Sequence, residues 1–375
     1  MHFERAELHD FRAYEHSEVD FGPGLNVLVG PNASGKTSLL EALSVLATAR
    51  SFRGAVDSEM VRTGRSGYRV AGRFAGRHGS HGIEVVFQQP SGSNPARKAA
   101  AVDARPLPRP SAVLGRIPLT SFSPDDLALV KGPPAERRRF LDLLVAQTGP
   151  VHRERLLRFQ RTVAQRNALL ADLAARRTAP AAAAAVLEPW DEALGSESAS
   201  VQAARAEVVG ALAAVAGEVF GRVDGRELGL CYQPSIFDPA RRADEIRRGL
   251  TLTGAHHDEL VVTVAGRDAR RFASQGQQRS VVLALKLAAR EVLERLTGET
   301  PVLLLDDVMS ELDAGRGALL VGFLLSGQVF VTTTDGPGLV RALGRSETRL
   351  EASWYRVEDA RVEPAPVRTG GGAPS

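Results

Sequence analysis

Residues 25–37 read LNVLVGPNASGKT. Leu25-Asn26-Val27-Leu28-Val29 is a short, largely apolar run with the pattern of a buried strand. It breaks at Gly30-Pro31-Asn32, and Ser38 to Ala49 then carry a helical pattern. Gly30-Pro31-Asn32-Ala33-Ser34-Gly35-Lys36-Thr37 therefore matches G-x-x-x-x-G-K-[ST] in the setting the motif requires, a strand before it and a helix after it. Glycines let the backbone turn so that successive N–H groups point inward, and a helix N-terminus adds partial positive charge. These eight residues are the candidate cradle for the phosphates of ATP, with Lys36 aimed at the β- and γ-phosphates and Thr37 at Mg²⁺. The chain has 47 Lys+Arg, of which only four are lysines (36, 98, 131 and 286), so a chance match at Lys36 is improbable.

Upstream, Phe3, Ala6, Leu8 and Phe11 alternate with polar residues. Downstream, residues 66–120 read as strands punctuated by Gly, Pro and Ser, clearest over Tyr68–Phe74 and Ile83–Phe87, a small antiparallel layer. Near Ser123 the texture changes. Pro124-Asp125-Asp126-Leu127 is a helix-start signal with Ser123 as candidate N-cap, and Pro134 to Phe220 reads almost wholly as helix. Leu187, Leu194, Val201, Val208 and Val215 recur every seven residues, with Leu212 and Val219 on the same side. Leu156, Val163 and Leu170 repeat likewise, with Phe159 and Leu173 beside them. Breaks at Thr178-Ala179-Pro180 and Glu188-Pro189 then predict a helical hairpin with a short coiled-coil-like seam. Strand signals return at Leu228–Tyr232, Leu260–Val264, Val302–Leu305 and Val329–Thr334.

The fold class expected is α/β. It is a P-loop head with a mixed sheet and an antiparallel β layer, split in sequence by an inserted α-helical lobe that contains the short hairpin. The head takes 1–122 and 225–363, the lobe 123–224, and residues 364–375 read as a disordered tail.

Asp306 stands at the tip of the Val302–Leu305 strand, where it can hold Mg²⁺ through water. Asp307 follows it and is the candidate to polarise the attacking water, with its reach supplied by backbone position. Bulk properties set the frame. Of 375 residues 43% are hydrophobic and 24% charged, and no apolar run approaches the roughly 20 residues of a membrane span. Cys231 is the only cysteine, the start carries acids and no apolar signal core, and net charge is +3, which together suit a cytoplasmic protein without a membrane partner.

Residues 272–286 read FASQGQQRSVVLALK. This stretch resembles the signature loop of ABC-type ATPases. The resemblance implies that Ser274, Gly276 and Gln277 meet the γ-phosphate held by a second protomer, giving an ATP-dependent head-to-tail homodimer. Lys36, Ser274 and Asp307 would then serve catalysis together. The plain alternative is an over-polar helix cap. Ser310-Glu311-Leu312-Asp313 is similar to a D-loop. Thr332-Thr333-Thr334-Asp335 lacks the usual switch histidine, which implies slow hydrolysis with a threonine in its place. Asp125 stands where a Q-loop glutamine is usual.

More narrowly, the chain resembles the RecF family, in LHDFRAY (8–14), FSPDDL (122–127), ERRRFLD (136–142), QRN (165–167), SQGQQR (274–279) and LLDDVMSELD (304–313). It departs from that pattern at TGAHHDE (253–259), where His256 is expected to be a structural or interface residue. The resemblance implies a weak, DNA-stimulated ATPase that acts as a recombination mediator in gap repair, replication and the SOS response. It would bind DNA, as duplex or at single-strand/duplex junctions, and act with RecR and RecO to promote RecA loading.

Arg137, Arg138, Arg139, Arg153 and Arg158 are the candidate DNA contacts, with Arg155, Arg161 and Arg166 in the same run. Each is equally readable as a solvated helix face or an ion pair. Arg12 is a nucleotide contact or a salt bridge. Two rival functions fit the same motifs, a transporter-type ATPase subunit and a nucleotide-gated scaffold that scarcely hydrolyses.

Overall fold

The computed structural model describes residues 1–77, 79–176, 180–307, 326–343 and 352–366. Contacts divide the chain into two compact units, Met1–Asp126 with Ala289–Ser375, and Leu127–Ala288.

The first unit opens with β1 (His2–Phe11), β2 (Tyr14–Asp20) and β3 (Leu25–Val29), then α1 (Lys36–Thr48) and the single turn α2 (Asp57–Met60). It continues with β4 (Gly67–Gly76), β5 (Gly79–Gln88), β6 (Arg97–Val102), β7 (Arg105–Pro106) and β8 (Leu119–Phe122). One antiparallel sheet has the order β2-β1-β4-β5-β6-β7. Its alternation is legible in β1, where Phe3, Ala6, Leu8 and Phe11 are all fully buried. The three-residue step from Phe3 to Ala6 is explained by a bulge against β4 between Phe3 and Arg5.

The second unit contains α3 (Ala128–Lys131), α4 (Pro134–Gln147), α5 (Pro150–Ala175) and α6 (Pro180–Asp224). β9 (Leu228–Gln233), α7 (Arg242–Arg248), β10 (Glu259–Val264), β11 (Arg267–Asp268) and α8 (Ala269–Phe272) come next. The boundary at Ala288 falls inside α9 (Gln275–Thr297). Back in the first unit come β12 (Val302–Leu305), β13 (Val329–Thr333), α10 (Gly336–Leu343), β14 (Ala352–Glu358) and β15 (Arg361–Ala365).

The second sheet of the first unit has the order β15-β14-β3-β13-β12-β8. Its strands β14, β3, β13, β12 and β8 pair in parallel, and β15 closes one edge antiparallel. Helix α1 touches β1, β4 and β5 of the first sheet and β8 and β13 of the second. A helix covered by sheets on two sides must be apolar around most of its girth, and eleven of its thirteen residues are buried.

In the second unit α5 and α6 form the expected antiparallel pair. Leu187, Leu194, Val201, Val208, Leu212, Val215 and Val219 of α6 are all buried, as are Leu156, Phe159, Leu170 and Leu173 of α5. The expected break at Glu188-Pro189 does not occur, because α6 runs through Pro189. Proline there removes one i→i−4 bond, but Ala185 and Pro189 both lie on the exposed side, so the freed carbonyl can face water. The lobe expected over 123–224 is also too short. The compact unit reaches Ala288 because buried ions tie the hairpin to α7, β9 and β10.

Arg166, fully buried, donates to Asp191 Oδ1 at 2.7 Å, Glu245 Oε2 at 2.6 Å and Thr251 Oγ1 at 2.8 Å. Arg205 donates to Asp142 Oδ1 at 2.8 Å and Asp258 Oδ2 at 2.7 Å, and Asp258 also accepts from Gln202 and from Ser235 N. At the other end, the disordered tail is expected from residue 364, but Pro364 and Ala365 are in β15; residues 367–375 lie outside the described residues.

Replacing Arg166 with alanine leaves Glu245 buried without its cation, while Asp191 keeps Arg242. We expect a loss of about 3–5 kcal/mol in the unfolding of this unit, read by urea denaturation. A change under 1 kcal/mol would contradict the buried network.

Candidate nucleotide site

The loop after β3 is held from three sides. Tyr14 Oη donates to the Gly35 carbonyl at 3.0 Å, Ala360 N donates to the Ser34 carbonyl at 2.9 Å, and Gly30 N donates to the Thr333 carbonyl at 3.3 Å. Gly30 is required because a Cβ there would lie 2.0 Å from the Val357 carbonyl oxygen. Gly35 is required because its φ is +113° and a Cβ would press on Tyr14.

Helix α1 starts with no side-chain cap and no acidic residue in its first turn, so no carboxylate of its own satisfies its leading N–H groups. The Ser34 hydroxyl is buried with no hydrogen-bond partner. Lys36 is buried and folds over the loop, donating to the Gly30 carbonyl at 2.8 Å and the Pro31 carbonyl at 2.6 Å. Burial lowers its pKa against the opposing pull of Asp307 and Asp306. An uncapped helix start, an orphaned hydroxyl and a lysine satisfied only by carbonyls fit a polyphosphate.

Thr37 Oγ1 donates to Asp306 Oδ1 at 2.8 Å, and Thr332 Oγ1 donates to the same oxygen at 2.9 Å. These residues meet because β3, β13 and β12 are neighbours in one parallel sheet, which brings their C-terminal ends side by side. Thr37 and Asp306 form an oxygen pair of the kind that suits Mg²⁺. Burial pushes the Asp306 carboxyl upward, more strongly than the two hydroxyls and the Arg53 charge pull it down. Asp307 is exposed, with a left-handed φ of 51°, and its N–H donates to Thr332 Oγ1 at 2.8 Å.

The sequence reading missed Arg53. Ser51 Oγ accepts from Arg53 N at 3.0 Å and donates to Glu41 Oε1 at 2.5 Å, and Arg53 Nε lies 3.6 Å from Asp125 Oδ2. Arg12 resolves as a salt bridge, its guanidinium meeting buried Glu41 of α1 at 2.7 and 2.8 Å. Of the threonines 332–334, one of which is expected near the γ-phosphate, Thr332 is buried and already engaged by Asp306, while Asp335 caps α10 through Gly338 N at 2.8 Å. The D-loop residues 310–313 lie outside the described residues.

The 274–279 loop belongs to the second unit. Ser274 and Gln277 make a reciprocal cap on α9: Gln277 N donates to Ser274 Oγ at 3.2 Å and Ser274 N donates to Gln277 Oε1 at 2.9 Å. Ser274 is exposed, Gly276 and Gln277 are half-buried, and Gln278 is buried with Nε2 on the Ala273 carbonyl at 3.1 Å. His256 stacks near His257 and Phe159 with its pKa lowered to about 4 by burial, in keeping with a structural residue.

Of the arginines expected to contact DNA, Arg137 is buried and paired with Glu259 at 2.7 and 2.8 Å. Arg166 is likewise buried and paired. Arg138 is half-buried on the Asp258 carbonyl, Arg153 and Arg155 are half-buried, and Arg139, Arg158 and Arg161 are exposed.

A family model described as an AAA domain matches residues 5–168. DNA replication and repair protein RecF of Chloroflexus aurantiacus is 36% identical, covering 96% of this chain and 99% of the relative. RecF of Heliobacterium modesticaldum is 39% identical over 89% and 92% of the two chains. The chain belongs to the RecF family. A solved structure described as the recombination mediator protein RecF with ATP in the RecFOR pathway superposes with TM-score 0.86 at 27% identity, covering 97% of this chain and 98% of that one. An Smc head bound to the C-terminal winged helix of ScpA, at TM-score 0.55 and 15% identity, shares the fold alone. Together these bear out the ABC-type ATPase head inferred from the motifs.

Within this RecF-family chain the motifs separate into two kinds. GPNASGKT and Asp306-Asp307 build the candidate site, whereas QRN (165–167), Glu136–Asp142 and Asp258-Glu259 supply buried ties in the second unit.

Asp306 gives a direct test. A carboxyl whose folded pKa is raised contributes stability only below the ordinary carboxylate range and loses it as pH rises through the folded value. Asp306→Asn keeps an acceptor for Thr37 and Thr332 and removes the buried charge. We expect it to stabilise the chelator-treated protein at pH 7.5 by about 1 kcal/mol, with the gain vanishing near pH 3, read by thermal melts. Destabilisation at pH 7.5 would contradict the charge assignment.

Proposed function

We propose that this chain is a DNA replication and repair ATPase of the RecF kind, in which ATP binding closes a head-to-tail dimer on DNA. The observation that carries the reading is the meeting of Lys36, Thr37, Asp306 and the orphaned Ser34 hydroxyl at the ends of adjacent parallel strands. Residues 30–37 would hold the phosphates, with Lys36 exchanging the Gly30 and Pro31 carbonyls for phosphate oxygens. Thr37 and Asp306 would hold Mg²⁺. When bound, Mg²⁺-ATP supplies the phosphoanhydride and the negative charge that this loop neutralises. Asp307, exposed beside Asp306, would orient water.

Ser274 supports the dimer. Its oxygen accepts from Gln277 N, which leaves the hydroxyl proton to donate to an anion at an exposed helix start. Gly276 and Gln277 would complete that contact from the second copy. ATP would then act as the clamp signal, and hydrolysis would release it. Arg139, Arg153 and Arg158, with Arg138, remain the candidate DNA contacts. The finer role is to bind duplex or single-strand/duplex junctions and, with RecR and RecO, to promote RecA loading. Relatives at 36–39% identity over nearly the whole chain weigh against the transporter-type reading. The engagement of Thr332 by Asp306, with no histidine in its place, favours slow turnover and keeps the scaffold reading as the second one.

Two measurements test this. In sedimentation velocity the parent should dimerise with ATP and Mg²⁺ and remain monomeric with ADP. Ser274→Arg should bind ATP normally and shift the dimer constant by at least tenfold; a parent that stays monomeric with ATP, Mg²⁺ and duplex DNA refutes the clamp. In single-turnover hydrolysis Asp307→Asn should be slowed by about a hundredfold. Equal rates would remove Asp307 from catalysis and favour the scaffold.

A further inference from the structure

The β1–β2 hairpin carries a side-chain cluster that the nucleotide site does not use. His9 and His16 are direct cross-strand partners, and Glu7 lies two residues before His9 on the same face of β1. His9 Nδ1 and His16 Nδ1 lie 3.3 Å apart, with ring centroids at 4.5 Å and ring planes inclined by 35°. On the far side of the His9 ring, Nε2 lies 2.6 Å from Glu7 Oε1. Glu7 is itself held by Arg69 Nη1 at 3.2 Å, and Arg69 pairs in turn with Glu84. One ligand atom from each of Glu7, His9 and His16 falls within 4.8 Å of the others.

These contacts constrain the tautomers. A carboxylate can only accept, so the Glu7–His9 bond places the proton on His9 Nε2 and leaves the Nδ1 lone pair facing His16. A carboxylate behind a histidine, fixing its ring and raising its basicity, is the arrangement that accompanies metal-bound imidazole. The spacing also matches. Two nitrogens at about 2.0–2.1 Å from a tetrahedral ion are separated by roughly 3.3–3.4 Å.

We propose that His9 and His16 form a binding site for a divalent transition metal of the zinc class, with Glu7 as the residue that orients His9. His9 Nδ1 and His16 Nδ1 are the ligands, and small rotations of the two rings aim both lone pairs at the ion. Water completes the coordination, because His16 is exposed. The ion cross-links β1 to β2, and Arg12 in the turn between them and Tyr14 at the start of β2 grip Glu41 of α1 and the Gly35 carbonyl. The site thus bridges the two strands that steady the phosphate loop, and it stands apart from the Mg²⁺ assigned to Thr37 and Asp306.

The test uses the full, tag-free chain, stripped with chelator and titrated with zinc chloride by calorimetry at pH 7.5 without nucleotide. The parent should take up one more equivalent in the micromolar range than either His9→Ala or His16→Ala. Glu7→Gln should keep that equivalent at about tenfold weaker affinity. Cobalt(II) gives an independent reading: the parent should show the intense visible bands of a tetrahedral site, and His16→Ala should lack them. His256, His257, Cys231 and Asp306 are unchanged in all the variants, so zinc taken up there cancels in the comparison. Superimposable zinc isotherms for the parent and His16→Ala, with both folded by circular dichroism, would overturn the proposal. So would a cobalt spectrum that does not depend on His16.

Discussion

Thr37 and Asp306 stand 269 residues apart in sequence and share a 2.8 Å hydrogen bond. Nearly everything about the candidate site depends on that contact. It exists only because β3 and β12 flank β13 in one parallel sheet, so that their carboxyl ends finish on the same edge. Parallel pairing demands long crossovers, and the second unit, with its 45-residue helix, lies within one of them. The sheet also sets the charge environment, because Asp306 is buried and that burial disfavours its ionisation more than the two hydroxyls and the Arg53 charge favour it. A site that strains a carboxylate in this way is prepared for a cation.

The loop that faces Asp306 has little freedom. Tyr14 comes from β2, Ala360 from the β14–β15 turn and Thr333 from β13, and each bonds a different residue of the loop. Glycine at 30 and 35 is what permits the backbone to lie so close to Val357 and Tyr14. Precision here comes from rigid elements that converge on the loop, while the loop itself supplies only N–H groups and small side chains.

The second unit is held together differently. Its apolar seam is ordinary, but two arginines, 166 and 205, are almost fully buried among four carboxylates. Buried ion pairs of this kind contribute little net stability over an apolar substitute, yet breaking one is costly. Their effect is to define which segment lies against which: α5 and α6 against α7, and α6 against β9 and β10. That explains why a segment of strands after residue 224 belongs with the helices before it.

What the sequence determined by itself was local. A strand, a glycine turn and a helix in immediate succession identify the phosphate loop, since backbone geometry over a dozen residues depends on those residues alone. Heptad spacing gave the α5–α6 seam, and the helix cap at Ser274 was legible only as the plain alternative to a signature loop. Tertiary structure decided the rest, wherever the outcome hangs on distant partners. Arg137 and Arg139 are indistinguishable in the run ERRRFLD, and only the position of Glu259 makes one an internal strut and leaves the other in water. Pro189 looked like a helix stop and was tolerated because it and Ala185 lie on the exposed side, where the freed carbonyl can meet water. Arg53 carried no motif, and only the fold brings its charge to Asp306. Periodicity and turn chemistry act between neighbours in the chain; burial and charge pairing act between neighbours in space, which the linear order of residues does not specify.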